Sequence, residues 1–259
     1  MDLEYTVADH VGLIRLNRPE MRNAFTFAML DDWRAALRSA IDDDNVRALV
    51  LAGAGGSFCS GVELAELQTI ADTPLAHKYM LTRRVHPIAR LVEELDKPLI
   101  AAVGGVAVGA GMDMALMCDM RFVSPRARFS EGYIKVGLVP GDGGAHYLPR
   151  IVGEAKALEL LMTGDMVDGE EALRIGLATK LFPEETLLDE TLAFARRLAA
   201  MPPAHIQLIK SAVRRGRDTS LATSLDLISS HMGIAMATAD HYEAMAAFTE
   251  RRSGKYIGA

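Results

Sequence analysis

The chain has 259 residues, half of them hydrophobic but only 6% aromatic, with a net charge of −6 and a pI near 5.7. That length holds one large domain, or one domain with a small extension, and the composition suits packed helices and buried strands over a β-sandwich. The acidic balance, with basic pairs scattered at Arg83-Arg84, Arg196-Arg197, Arg214-Arg215 and Arg251-Arg252, excludes the basic face of a nucleic-acid binder, and two distant cysteines, Cys59 and Cys118, exclude a disulfide framework or a zinc cluster.

In chain order, Tyr5-Thr6-Val7 and residues 11–16 alternate as two strands joined at Asp9-His10. Thr26 caps a helix whose apolar face carries Phe27, Leu30, Trp33, Leu37 and Ile41, and residues 47–51 form a short buried strand. A glycine-rich loop over 53–61 leads into a helical start at 62–67. A polar break at 70–74 precedes a long helix to Leu95, with Pro87 as a kink or boundary. The pattern then recurs about fifty residues later: a strand at 99–103, a glycine-rich turn at 104–111 and a helix from Met112. Residues 99–118 are as long as a membrane span, but Asp113 would cost roughly 3 kcal/mol at a bilayer centre, so no membrane is expected. Short strands follow at 121–123 and 127–129. After Pro149 the pattern is helical, over 154–163, 169–175, 184–201, 204–216, 220–237 and 240–252. This order predicts an α/β core over 1–200 and a helical association module over 201–259. The expected location is the cytoplasm, since Asp2 and Glu4 stand where a leader would be basic.

Among known motifs, zinc-site spacings, the phosphate loop and the serine elbow are absent, and Gly109-Ala110-Gly111 lacks the third small residue of a dinucleotide fingerprint. What remains is the pair of glycine turns. A strand that ends in glycines and enters a helix leaves N–H groups unpaired at the helix start, where an oxyanion can sit. The same glycines can instead serve close helix–strand packing, and the residues alone leave both readings open.

Longer motifs decide between them. Residues 57–64 (SFCSGVEL) resemble the F-x-x-G-x-D-[LI] segment of the enoyl-CoA hydratase/isomerase (crotonase) family. Residues 105–119 (GVAVGAGMDMALMCD) resemble its G-x-A-x-G-G-G-x-E-L-A-x-x-C-D signature, and residues 137–144 and 148–153 its G-x-x-P-x-x-G-G and L-x-R-x-x-G run. Asn17-Arg18-Pro19 with Asn23-Ala24 also matches, so the resemblance spans nearly the whole chain. It implies a spiral of ββα repeats with a C-terminal helical trimerisation region, forming a homotrimer or a dimer of trimers. The implied substrate is an acyl-CoA, with no cofactor beyond the coenzyme A of the substrate and no metal. The implied oxyanion hole is the backbone N–H of Val62 and of Ala110. The loop with Arg22 and Ala24 would meet coenzyme A, and Ser60, Glu63, Leu64 and Gly109 would line its path, with His86 on the acyl wall. Other walls are expected from residues 70–95 and from the tail helices.

Two positions depart from the family pattern. The first catalytic glutamate falls on Asp113, whose arm is about 1.5 Å shorter, and the second on Tyr133, a poor base near neutrality. Asp142 or Glu131 then stands as second carboxylate, with Tyr133 as polar support. Hydration or dehydration of an enoyl-CoA leads; double-bond isomerisation, C–C cleavage, hydrolysis, or acyl-CoA binding without catalysis are the alternatives.

Overall fold

The computed structural model describes residues 1–258. Strands β1 (Leu3–Ala8) and β2 (Val11–Leu16) pair as an antiparallel hairpin. Asp9 and His10 between them both have positive φ (50° and 63°), a backbone twist that suits a two-residue hairpin. Helix α1 (Phe27–Asp42) starts where expected: the Thr26 side chain accepts the Met29 N–H, and Phe27, Leu30, Trp33 and Leu37 are buried on one face. After β3 (Ala48–Gly53) and α2 (Leu64–Gln68), α3 (Pro74–Met80) runs through one π-helical turn, Leu81–Val85, into α4 (His86–Glu94). The boundary expected at Pro87 is therefore a π turn: the His86 N–H reaches back to the Leu81 carbonyl, and the proline that follows has no N–H to continue the ladder.

The second unit comprises β4 (Leu99–Val103), β5 (Val106–Val108) and α5 (Ala110–Leu116). Its likeness to the first is realised in register. β3 pairs parallel with β4 at Leu49↔Leu99, and Cys59 bridges Ala107, so the two glycine-rich segments lie side by side. Residues 104–111 are not one turn, however. They contain β5, a strand too short to show periodicity. The membrane-length stretch folds as two strands and a buried helix, and no helix among the described residues is long and apolar enough to cross a membrane.

Next come β6 (Met120–Val123), β7 (Arg128–Ser130), a 3-10 turn at Gly132–Val136, α6 (Gly144–Val152) and α7 (Glu154–Thr163). The later chain is not purely helical as expected. β8 (Val167–Asp168) and β9 (Lys180–Leu181) flank α8 (Gly169–Arg174), and each adds to a sheet. The larger sheet runs β1-β2-β3-β4-β6-β9, parallel from β2 onward, and the smaller β5-β7-β8. Two-residue strands have no sequence signal; only their partners define them.

Helix α9 (Leu187–Ala199) covers one face of the large sheet, burying Ala195 and Ala199 with Val50, Ile100 and Phe122. It starts at Leu187 and not at residue 184 because Pro183–Thr186 forms a turn closed by the Thr186 N–H on the Pro183 carbonyl. The opposite face packs on the main core with α1 and α4. Helices α10 (Pro203–Gly216), α11 (Leu221–Met236) and α12 (Ala239–Glu250) complete the chain. Lys210 and Arg214 of α10 reach Asp119 at 2.6 and 3.0 Å, and Arg214 also donates to the Val92, Glu93 and Leu95 carbonyls at the C-terminal end of α4. Arg214, one member of a basic pair, therefore clamps α10 to the core together with Lys210.

Candidate active site

Two backbone turns meet at the site. Gly61 adopts φ +99° and Gly109 φ +53°, conformations that suit glycine. A Cβ built on Gly61 would lie 3.0 Å from the Val108 carbonyl and 3.8 Å from the Ala110 nitrogen. Ala110 itself is the first residue of α5, with Gly109 as its N-cap, so the strained position is the glycine and alanine fits after it. Among the described residues neither the Val62 N–H nor the Ala110 N–H donates to a protein acceptor. Gly109 ties the second turn to β7 through its N–H on the Ser130 carbonyl, 2.8 Å. Both expected oxyanion donors are thus free and come from adjoining turns.

The two loops expected to meet coenzyme A are laced together. Asn23, at φ 56°, accepts the Arg18 N–H and donates to the Ala54 and Ser57 carbonyls. Arg18 reaches the Ala24 carbonyl at 2.8 Å and the Glu63 carboxylate at 2.7 Å. The Ser60 N–H donates to the Arg22 carbonyl, and Leu64 is exposed. Glu63 therefore anchors Arg18, while Leu64 stays on the surface.

Beside the turns lies a cavity of about 510 Å³, within the size range of small-molecule sites. Val62 and Ala110 stand at its wall with Tyr133 and Asp142; Phe27, Met80 and Val85 are among its apolar lining. His86 lines it too and shares a 2.9 Å hydrogen bond, through Nε2, with the Gly141 carbonyl next to Asp142. Residues 70–95 supply walls as expected, through His77, Met80, Leu81, Val85 and His86. The tail helices do not line it; Phe25, Phe27 and the 138–142 loop take that place. Their apolar residues carry no sequence mark that separates a pocket wall from core.

Three acids converge here, one on this wall and two behind it. Asp113 is fully buried and accepts the Tyr133 hydroxyl on Oδ2 at 2.6 Å, while its Oδ1 has no partner. Glu131 is buried; it stands at the N-cap of the 3-10 turn, but its side chain makes no capping bond and both its oxygens lack a partner. Asp142 is 8% exposed and is the one carboxylate among the described residues on the cavity wall. Burial raises the pKa of Asp113, opposed mainly by the Tyr133 hydrogen bond. Burial and then the Asp113 charge push Asp142 up to about 7. Tyr133 moves far upward, by burial first and then by the Asp113 and Asp142 charges, so it stays a hydroxyl. Burial likewise raises the Cys59 and Cys118 thiols to about 12, which makes them core groups and not nucleophiles.

Of the four expected catalytic residues, then, Tyr133 and Asp142 face the cavity, and Asp113 and Glu131 stand one layer behind. The feature missed in sequence is Gly144, at the start of α6. A Cβ there would collide with Asp113 Oδ1 and lie 2.6 Å from Glu131 Oε1, so only glycine leaves room for both carboxyls.

Free N–H donors at the wall of an apolar cavity, with an ionisable group alongside, are the parts with which a site can polarise a carbonyl and move protons at the neighbouring carbons. Comparison with known proteins gives this class its family. The family model described as enoyl-CoA hydratase/isomerase matches residues 6–258. Crotonyl-CoA hydratase of Syntrophomonas wolfei is 33% identical over 96% of this chain and 95% of its own length. The 1,2-epoxyphenylacetyl-CoA isomerase of Escherichia coli is 35% identical over the same shares. The crystal structure of an enoyl-CoA hydratase from Bacillus anthracis superposes with a TM-score of 0.95 at 29% identity, over all of both chains. The chain belongs to the enoyl-CoA hydratase/isomerase family, and it is an acyl-CoA enzyme with the crotonase fold.

Proposed function

We propose that the chain hydrates an enoyl-CoA, or runs the reverse dehydration, with Asp142 as its proton carrier. The observation that carries this reading is the place of Asp142: on the cavity wall, next to Tyr133, beside the Val62 and Ala110 turns. The thioester oxygen accepts the two N–H groups, which draws electron density from Cβ. Water adds to Cβ while the Asp142 carboxylate takes its proton, and the C=C electrons pass into an enolate held by the same donors. Asp142 then returns that proton to Cα, so one water is consumed and the carboxylate is regenerated. The Tyr133 hydroxyl, donating to Asp113, keeps its lone pairs for the water. In this reading Asp113 orients and does not itself touch substrate.

A second reading is favoured by one fact: the cavity offers a single carboxylate in apolar surroundings. The same Asp142 can carry a proton from Cα to Cγ of a 3-enoyl-CoA, which is isomerisation. Crotonyl-CoA and longer 2-enoyl-CoAs should lose the absorbance of the conjugated thioester as the 3-hydroxyacyl product forms. Unchanged 2-enoyl-CoAs, together with conversion of 3-enoyl-CoAs to the conjugated isomer, would sink the hydratase reading and leave the second. In the hydration direction kcat/KM should rise as pH passes about 7, because the base form of Asp142 is the active one and burial holds its proton to that pH.

Arg22, Ala24, Ser60, Glu63, Leu64 and Gly109 are read as the coenzyme A path, supported by the lacing of the two loops. Residues 201–259 are read as an association module for a homotrimer or dimer of trimers. Supporting this, Leu225, Met232, Met236, Met245 and Phe248 on α11 and α12 are exposed, and Phe248 is 84% so. Light scattering should give a trimer or hexamer mass; a monomer mass at micromolar concentration would end that reading.

A further inference from the structure

Glu131 is the buried acid that the proposed reaction leaves unused. It directly follows β7, is 1% exposed and stands off the cavity wall. Neither of its carboxyl oxygens has a donor among the described residues, and Asp113 Oδ1 lacks one as well. The two carboxyls converge on one spot: the space in front of Gly144 is bounded by Asp113 Oδ1 and Glu131 Oε1. Ionised carboxylates are acceptors only, and two of them side by side away from water repel strongly. One proton must therefore stay in the pair. The partners say where. Asp113 Oδ2 takes the Tyr133 hydroxyl at 2.6 Å, which favours its charged form, whereas Glu131 has no donor that would favour its own.

We propose that Glu131 is a positioning residue held as a neutral acid, its O–H donating to Asp113 Oδ1. The Asp113 carboxylate is then gripped by a hydroxyl donor on each oxygen, and it fixes the Tyr133 hydroxyl toward the cavity. This rests on the reading of Tyr133 as the group that orients water. The charges that bear on Glu131 are both acidic: Asp113 from α5 and Asp142 from the segment before α6. Burial, and then the Asp113 charge, push its pKa in the same direction, well above the carboxylate range. As pH rises far enough to ionise Glu131, it changes from donor to repelling neighbour, the grip on Asp113 fails, and activity falls.

Three measurements on the full-length enzyme test this. Glu131→Ala should lower kcat about 10- to 100-fold, the span of one hydrogen bond to a charged group, with KM little changed. Glu131→Gln, whose amide N–H replaces the O–H, should recover most of that loss and also lack the alkaline fall in activity expected of the wild type. An infrared difference spectrum of wild type against the Gln variant at neutral pH should show the carbonyl band of a protonated carboxyl. A Gln variant as slow as the Ala variant, an alkaline limb unchanged by Gln, or no such band would overturn the assignment. The infrared measurement needs no substrate. A band that is present while Asp142→Asn stays fully active would keep Glu131 as the neutral donor and remove the Asp142 mechanism instead.

Discussion

Gly111→Ala is expected to lower kcat/KM at least about 100-fold and to destabilise the fold by roughly 1–3 kcal/mol. Gly111 has an ordinary helical backbone, so no conformational strain is involved. The obstacle is space: a Cβ there would run into the Cys59 carbonyl, with the Cys59 side chain next to it. That carbonyl accepts the Val108 N–H at 3.0 Å, and Cys59 bridges Ala107. The extra methyl therefore pushes apart the two segments that carry Val62 and Ala110. In the proposed oxyanion hole the two N–H groups would then no longer aim at one oxygen, and removing one such donor costs about 2.7–4 kcal/mol of transition-state stabilisation. Thermal melts and steady-state kinetics with an enoyl-CoA check both halves. A variant that melts lower yet keeps its kcat/KM would show that this contact supports the fold and not the donors.

Asp142→Asn is expected to remove most activity while making the protein more stable above neutral pH. A positioned acid–base group typically contributes about 10²–10⁴-fold in rate, so kcat should fall within that span. The stability gain follows from the raised pKa, from the ordinary 3.8 to about 7. The folded chain binds this proton more tightly than the unfolded chain does. Stability supplied by the protonated carboxyl is therefore complete below pH 4 and is lost as pH rises to about 7. Asparagine stays neutral and escapes that loss. A little over three pKa units corresponds to up to about 4 kcal/mol at pH 8, and to nothing below pH 4. Denaturant unfolding of wild type and variant at the two pH values measures it. Equal stability at pH 8 would mean that Asp142 lies in a wetter place than its 8% exposure indicates. An inactive variant that is more stable is the mark of a charge kept in an unfavourable place for chemistry.

How far the sequence reached can be seen element by element. The hairpin turn at Asp9-His10, the Thr26 cap and the buried strands β3 and β4 are local: turn residues, a capping hydroxyl and apolar runs act within a few residues, so their signals are readable. The repeat at an offset of fifty was also legible, and it foretold the side-by-side turns because two like units stack in register. The resemblance placed Val62 and Ala110, whose backbone donors depend on turn geometry more than on side-chain identity.

Other features had no local trace. β8 and β9 are strands only because β7 and β6 lie next to them. The layering of the acids is likewise a tertiary matter. Asp113, Glu131 and Asp142 are alike as letters in a sequence, and their order along the chain does not reveal that one faces the cavity while two stand behind Tyr133. Burial depth, the Tyr133 hydroxyl at 2.6 Å and the absent side chain of Gly144 separate their roles. The sequence by itself determined an α/β core with two glycine turns at a repeated offset, since both rest on glycine positions and hydrophobic period, and its longer motifs carried the resemblance that implied a crotonase fold and the two backbone donors. Only the tertiary structure decided which carboxyl stands on the cavity wall, because burial and proton affinity are set by what surrounds a group.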